Sequence, residues 1–193
     1  DGKQFFVYTI IGQKIWEYKE QEGILKMKCL PIVDDVVVVI SQEVTAAMKL
    51  QGFDIRTGEL LWKLDVSERV CPNTFFIGDD KMLYGCDVYY GDATDLNLCK
   101  LNPVTGELQS WSVLTDEKLD VMPWLVTMHG NKLYYTDNRR GNEIGVIDVD
   151  KKELVERVPL NIDKKVTIGA PVVTDDKVYV FIKDLQELRV YEK

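Results

Sequence analysis

Residues Asp54 to Leu64 read DIRTGELLWKL, and the chain is built by repeating this segment. It returns as LNPVTGELQSW at Leu101–Trp111 and, worn down, as DVDKKELVERV at Asp148–Val158. Upstream, YTIIGQKIWEY at Tyr8–Tyr18 sets Gly12 and Trp16 where Gly58 and Trp62 stand. Gly12, Gly58, Gly106 and Lys152 hold one equivalent position, which gives a period close to 46 residues. A period of that size is the signature of a propeller or solenoid.

A second segment runs in phase with the first: an apolar run, a tight polar turn, another apolar run. It occurs as LPIVDDVVVVI (30–40), FFIGDDKMLYG (75–85), WLVTMHGNKLYY (124–135) and APVVTDDKVYVFI (170–182). Asp34-Asp35, Asp79-Asp80, Gly130-Asn131 and Asp175-Asp176 are the residue types a hairpin needs where the backbone reverses, including at positive φ. The apolar runs are short and rich in Val, Ile, Tyr and Phe, so they read as strands rather than helices. Each repeat is therefore four antiparallel strands: a and b flank the polar turn, c and d flank the Thr-Gly turn. Glycine takes the left-handed conformation at no steric cost, so a looser turn is expected where Lys152 replaces it. Trp16, Trp62 and Trp111 fall on strand d and read as packing between neighbouring sheets, with aromatic ligand platforms as the alternative.

These patterns resemble the quinoprotein-like propeller repeats of the PQQ or YVTN type. The resemblance rests on APVVTDDKVYVF and on Asp54, Thr57, Gly58 and Trp62, and covers nearly the whole chain. It implies an all-β propeller and says little of activity, because propellers host unrelated functions. Family enzymes of the quinone-dependent dehydrogenase kind would imply pyrroloquinoline quinone and calcium, often beside vicinal cysteines. This chain has no adjacent cysteine pair and nothing that marks the Glu, Asn and Asp metal set. The reading assigns no cofactor and no metal.

The chain of 193 residues is long enough for one folded unit, with repeats at about 1–20, 28–66, 71–114, 122–160 and 169–193. It enters partway through a blade and stops before a last strand d, so strand c occurs five times and the others four times each. Two closures fit: a compact small propeller of about four blades clasped by its termini, or an arc of a larger ring. The chain begins at Asp1 rather than methionine, compatible with a processed mature end or a trimmed or cleaved chain. No apolar run is long enough to span a bilayer. The net charge of −8 argues against nucleic acid, whose binders need a basic face. Cys29, Cys71, Cys86 and Cys99 form no CxxC pair. Cys86 on strand b and Cys99 on strand c are set either to bridge in an oxidising compartment or to remain buried thiols.

The a-to-b and c-to-d turns lie on one face of a propeller, and the b-to-c and d-to-a connections on the other. The first set is short and uniform here and the second long and individual, and variable loops on a rigid scaffold carry binding. Tyr89, Tyr90, Asp92 and Asp95 in YYGDATDL combine aromatic and acidic groups suited to a protein interface. Arg139 and Arg140 offer two guanidinium groups on a tight loop, suited to a carboxylate or phosphate. The bland reading of both is a solvated loop. Asp87, Asp92 and Asp95 lack the spacing of a calcium loop. His129, the single histidine, has no nucleophile motif beside it and reads as a turn residue.

The function expected is non-catalytic: a protein-binding module such as an envelope scaffold or an immunity-type inhibitor, periplasmic or otherwise extracytoplasmic. The alternatives are a quinone-dependent dehydrogenase-like fragment and a luminal or periplasmic sensor ectodomain that forms homo-oligomers through open sheet edges.

Overall fold

The computed structural model describes residues 4–19, 24–43, 47–67, 75–88, 96–113, 125–137, 142–162 and 166–193. They form five antiparallel sheets that follow one another along the chain. The first holds β1 (Gln4–Tyr8) and β2 (Lys14–Lys19). The second runs β3 (Ile24–Cys29), β4 (Val36–Glu43), β5 (Ala47–Asp54) and β6 (Leu60–Ser67). The third holds β7 (Phe75–Ile77), β8 (Leu83–Val88), β9 (Leu96–Leu101) and β10 (Leu108–Val113). In the fourth lie β11 (Val126–His129), β12 (Lys132–Asp137), β13 (Glu143–Asp148) and β14 (Glu153–Pro159). The last has β15 (Val172–Val173), β16 (Lys177–Ile182) and β17 (Glu187–Glu192). This is the all-β propeller architecture that the repeat predicts, with three full blades and a partial one at each end.

Burial explains why the four strands of a blade differ in sequence. Strand b is covered on both faces by the neighbouring sheets, so β4 carries the uninterrupted run Val36–Ile40, all of it buried. Strand d is outermost and half covered, so in β14 only Leu154 and Val158 are part-buried and the rest is exposed. Four apolar clusters join the sheets in sequence order. Val37, Val39 and Phe53 meet Phe5 and Trp16 between the first and second sheets. Leu50 and Leu83 lie between the second and third, Leu98 and Leu133 between the third and fourth, and Val146 and Val180 between the fourth and fifth. Among the described residues β2 and β17 stand in separate sheets. The pairing of the two ends that the compact closure requires is not among the strand pairs of these residues.

The tryptophans lock each blade to the next. Trp16 donates its indole N–H to the Ile55 carbonyl at 2.7 Å, and its ring lies where a side chain on Gly58 would stand, 2.8 Å from an ideal Cβ. Trp62 repeats this one blade on: it donates to the Pro103 carbonyl at 2.8 Å and its ring is 2.6 Å from an ideal Cβ on Gly106. Both glycines have positive φ, +77° and +76°, so they are required twice, by the turn and by the indole. The third junction differs. Trp111 buries its Nε1 with no hydrogen-bond partner, and the Lys152 ammonium sits 5.1 Å from the centre of its ring. Lys152 keeps the left-handed φ of +62°. The looser turn expected there is not found, because Asp148 Oδ1 accepts from the amides of Asp150 and Lys151 just as Asp54 Oδ1 does from Arg56 and Thr57.

The a-to-b turns also link blade to blade. Asp34 and Asp35 both have positive φ in a two-residue hairpin, as their residue types predict. In the next turn the positive φ falls on Lys81 instead, and its ammonium reaches Asp34 at 2.7 Å. Burial works against ionisation of Asp80, but hydrogen bonds from Lys100, the Met82 amide and Tyr84 outweigh it and hold the carboxyl below its ordinary value of 3.8. His129 Nε2 lies 3.2 Å from Asp175 of the following turn, a contact between turns, in keeping with its reading as a turn residue.

Two outcomes are expected. Trp62→Phe loses a hydrogen bond worth about 1 kcal/mol, whereas Trp111→Phe removes an indole N–H with no acceptor and costs less; urea melts compare them. A carboxyl whose folded-state pKa is depressed stabilises the fold above its unfolded value and loses that contribution as pH falls through the folded one. Asp80→Asn should therefore flatten the loss of melting temperature on acidification below pH 3.8.

Candidate functional site

Buried polar residues of the second and fourth sheets include a group at the b-to-c end of the blades. Ser41 is buried there in the second sheet, and Thr136, Asp137 and Glu143 in the fourth. Register sets the last two opposite one another, Asp137 across from Glu143, at the point where β12 gives way to the segment that leads to β13. A pair of buried carboxyl groups is costly unless positive or donor groups face it. Arg157 on β14 supplies one: its Nε lies 3.0 Å from both oxygens of Glu143 and its Nη2 2.8 Å from Oε2. The Tyr135 hydroxyl reaches Oε1 at 3.4 Å. Burial raises the Tyr135 pKa above its ordinary value, and the neighbouring Glu143 charge raises it further, so the phenol stays neutral and acts as donor.

Trp62 faces Gly52 across its strand pair, and Arg157 faces Gly145 across its own, one residue further from the c-to-d turn. In the second sheet Trp62 covers Gly52, with ring atoms 2.3 Å from an ideal Cβ; in the fourth the Tyr135 ring covers Gly145 at 2.0 Å. Both glycines are needed because a ring lies flat on the strand. In the fourth blade a tyrosine fills the space and Glu143 takes the guanidinium charge.

Neighbouring groups complete this end of the fourth blade. Thr136 Oγ1 donates to the Gly169 carbonyl at 2.9 Å, and Asn142 Nδ2 to the Ile162 carbonyl at 3.1 Å. In the fifth sheet the b-to-c connection is a short 3-10 turn, Lys183–Leu185, whose Asp184 accepts from the Thr167 amide at 2.7 Å.

Tyr89, Tyr90, Asp92, Asp95, Arg139 and Arg140 lie outside the described residues. What the structure does set is where their segments are attached. Residues 89–95 join β8 to β9, whose last backbone pair is Val88 with Leu96; residues 138–141 join β12 to β13 beyond Asp137 and Glu143. Both are b-to-c connections of adjacent blades. Of the two readings open for Cys86 and Cys99, the register does not set them opposite one another: Cys86 pairs with Leu98, and Cys99, a buried free thiol, with Gly85. Among the described residues no three His, Cys, Asp or Glu groups come together in a way that would hold a metal ion.

The cluster Tyr135, Glu143 and Arg157 was not anticipated from the sequence. Its one signal was an arginine five residues after Lys152, where the third repeat has Trp111 five residues after Gly106. Arg157→Met leaves Glu143 buried without its cation and is expected to cost roughly 3 kcal/mol; adding Glu143→Leu should return more than half of that in the same thermal melt.

Comparison with known proteins follows the geometry. No curated protein matches the chain. Among solved structures, a protein of unknown function from Bacteroides caccae superposes with a TM-score of 0.53 at 14% identity, over 95% of this chain and 69% of that one. Hydrazine synthase of Kuenenia stuttgartiensis gives 0.57 at 14% identity, over 97% and 64%. The WD40 domain of SCAP from fission yeast gives 0.51 at 10%, over 92% and 43%. The chain thus spans about two thirds or less of these proteins, and at such identities the likeness concerns the fold alone. The sequence family that matches carries the PQQ-type repeat, is described as outer membrane protein assembly factor BamB, and aligns with residues 6–180. Nearly the whole repeat array is included in that match, and the chain belongs to this family.

Proposed function

We propose that the chain is a non-catalytic, protein-binding propeller module that presents its b-to-c and d-to-a loops to a protein partner as part of outer-membrane protein assembly. The observation that carries this reading is the family match over residues 6–180, whose description is that of an assembly factor. The blade geometry supports it. Sheets locked by indoles and apolar clusters form a stiff frame, and the connections of most varied length leave from one end of it.

On this reading the aromatic and acidic segment Tyr89, Tyr90, Asp92 and Asp95 forms the contact on the third blade, and Arg139 with Arg140 a basic contact on the fourth. Tyrosine brings large contact area at small entropic cost, and arginine binds carboxylates in two-point geometry. Buried Asp137 and Glu143, with the exposed Arg157 over Glu143, would then serve the interface by stiffening the base of the arginine segment. On the same reading the module works outside the cytoplasm, which the family description supports.

The test is capture of envelope proteins on the immobilised chain. The combined change Tyr89→Ala, Tyr90→Ala, Asp92→Asn and Asp95→Asn should weaken retention of the captured partner at least about tenfold, the loss of a cluster of dominant interface residues. Retention unchanged in that variant and in Arg139→Gln with Arg140→Gln would refute the assignment of this face.

A further inference from the structure

The c-to-d turn of the first sheet differs from its three counterparts in charge. Residues 54–59, 102–107 and 148–153 read DIRTGE, NPVTGE and DVDKKE, with a carboxylate in each, whereas residues 8–13 read YTIIGQ, with neither a carboxylate nor a cation. Asp54 and Asp148 cap their turns with a carboxylate oxygen; here a hydroxyl does it, as Thr9 Oγ1 accepts from the Gln13 amide at 3.0 Å. The Gly12 amide donates to the Thr9 carbonyl at 2.9 Å, and the Thr9 amide to the Gln13 carbonyl at 2.8 Å.

At the tip, Ile10 and Ile11 are 104% and 84% exposed. That exposure belongs to the turn position itself: the corresponding Arg56, Thr57, Val104 and Thr105 are exposed as well, although a tryptophan of the preceding blade packs on the glycine beside them. Tyr8 and Phe6 stand exposed behind the tip. The first charges beyond it are Lys14 and Glu17, which pair at 2.8 Å, and the Lys14 ammonium lies 5.9 Å from the centre of the Phe6 ring.

We propose that this turn is an anchor for the interface of a phospholipid bilayer: Ile10 and Ile11 enter the acyl boundary, with Tyr8 and Phe6 at the level of the headgroups. Three features favour lipid over a pocket on a protein. The tip is convex, and a fluid interface needs no complementary shape. The turn holds no charge and closes three of its backbone donors on itself, which lowers the cost of leaving water. Its leading residues are aliphatic with aromatic rings behind, the order found across a membrane interface, whereas dominant contacts between proteins draw on Trp, Tyr and Arg. Two isoleucines carry less apolar surface than an acyl chain, so the attachment is weak and reversible. Asp79, Asp175 and Asp176 are exposed in a-to-b turns at the same end of the blades, so anionic headgroups oppose the approach. The anchor does not rest on the protein-binding reading. It lies at the opposite end of the blades from the b-to-c loops and would turn those loops away from the membrane.

Cosedimentation of the chain with phosphatidylcholine vesicles, at millimolar lipid, tests this. The bound fraction should rise with lipid concentration, and Ile10→Ser with Ile11→Ser should lower the partition coefficient at least about tenfold. The melting temperature of that variant should match the parent, since both side chains lie in solvent. Ile10→Leu with Ile11→Leu should keep the binding, and so should Val104→Ser, a change at the corresponding tip of the third blade. Adding phosphatidylglycerol to the vesicles should weaken it. No partition of the parent chain, or equal partition of the serine variant, overturns the proposal, as does binding that strengthens with phosphatidylglycerol. Light scattering without lipid that finds the parent dimeric and the serine variant monomeric assigns the tip to a second copy and overturns it as well.

Discussion

An indole laid on a turn glycine of the next sheet is the contact on which this architecture depends. Strand pairing alone makes separate sheets, each with two apolar faces, and says nothing of how they are rotated against one another. Trp16 and Trp62 supply that information, because each makes one directed hydrogen bond and fills one space that only glycine leaves open. The apolar clusters between sheets then contribute the bulk of the cohesion, at about 25 cal/mol for each Å² removed from water. The third joint keeps the ring but replaces glycine by Lys152, exchanging close approach and an N–H donor for a cation over the ring. This joint still holds because the cluster between the third and fourth sheets, with Leu98, Leu133 and Tyr135 fully buried or nearly so, is extensive.

Charge is divided between the two ends of the blades. At the turn end the carboxylates of Asp34, Asp35 and Asp80 are met by Lys81, Arg56 and Lys100 in exposed pairs, which modestly align neighbouring turns. At the b-to-c end of the fourth blade the carboxyl groups of Asp137 and Glu143 are buried, and such groups are costly to leave unpaired. The fourth blade resolves this with Arg157 and Tyr135 set around Glu143.

The repeat period, the four strands of each blade, the positive φ at Gly58 and Gly106 and the role of Trp16 and Trp62 as packing between sheets were all readable from residue order. They rest on local rules: side-chain alternation, turn chemistry and the missing Cβ of glycine. Where reading failed, the cause was in each case a partner distant along the chain. Lys152 adopts the glycine conformation because Asp148 caps the turn and Trp111 receives its ammonium. Strand membership left Cys86 and Cys99 open between a bridge and buried thiols, and register by one residue decides what a strand residue meets.

Sequence periodicity therefore specified the blade and its repetition, since both follow from interactions within a few dozen residues. Whether the ends of the chain clasp one another, which indole finds an acceptor, and that Arg157 closes over a buried Glu143 emerged only once the sheets were stacked. Those outcomes depend on distances between groups some 40 residues apart or on opposite edges of a sheet, and a linear pattern carries no record of such distances.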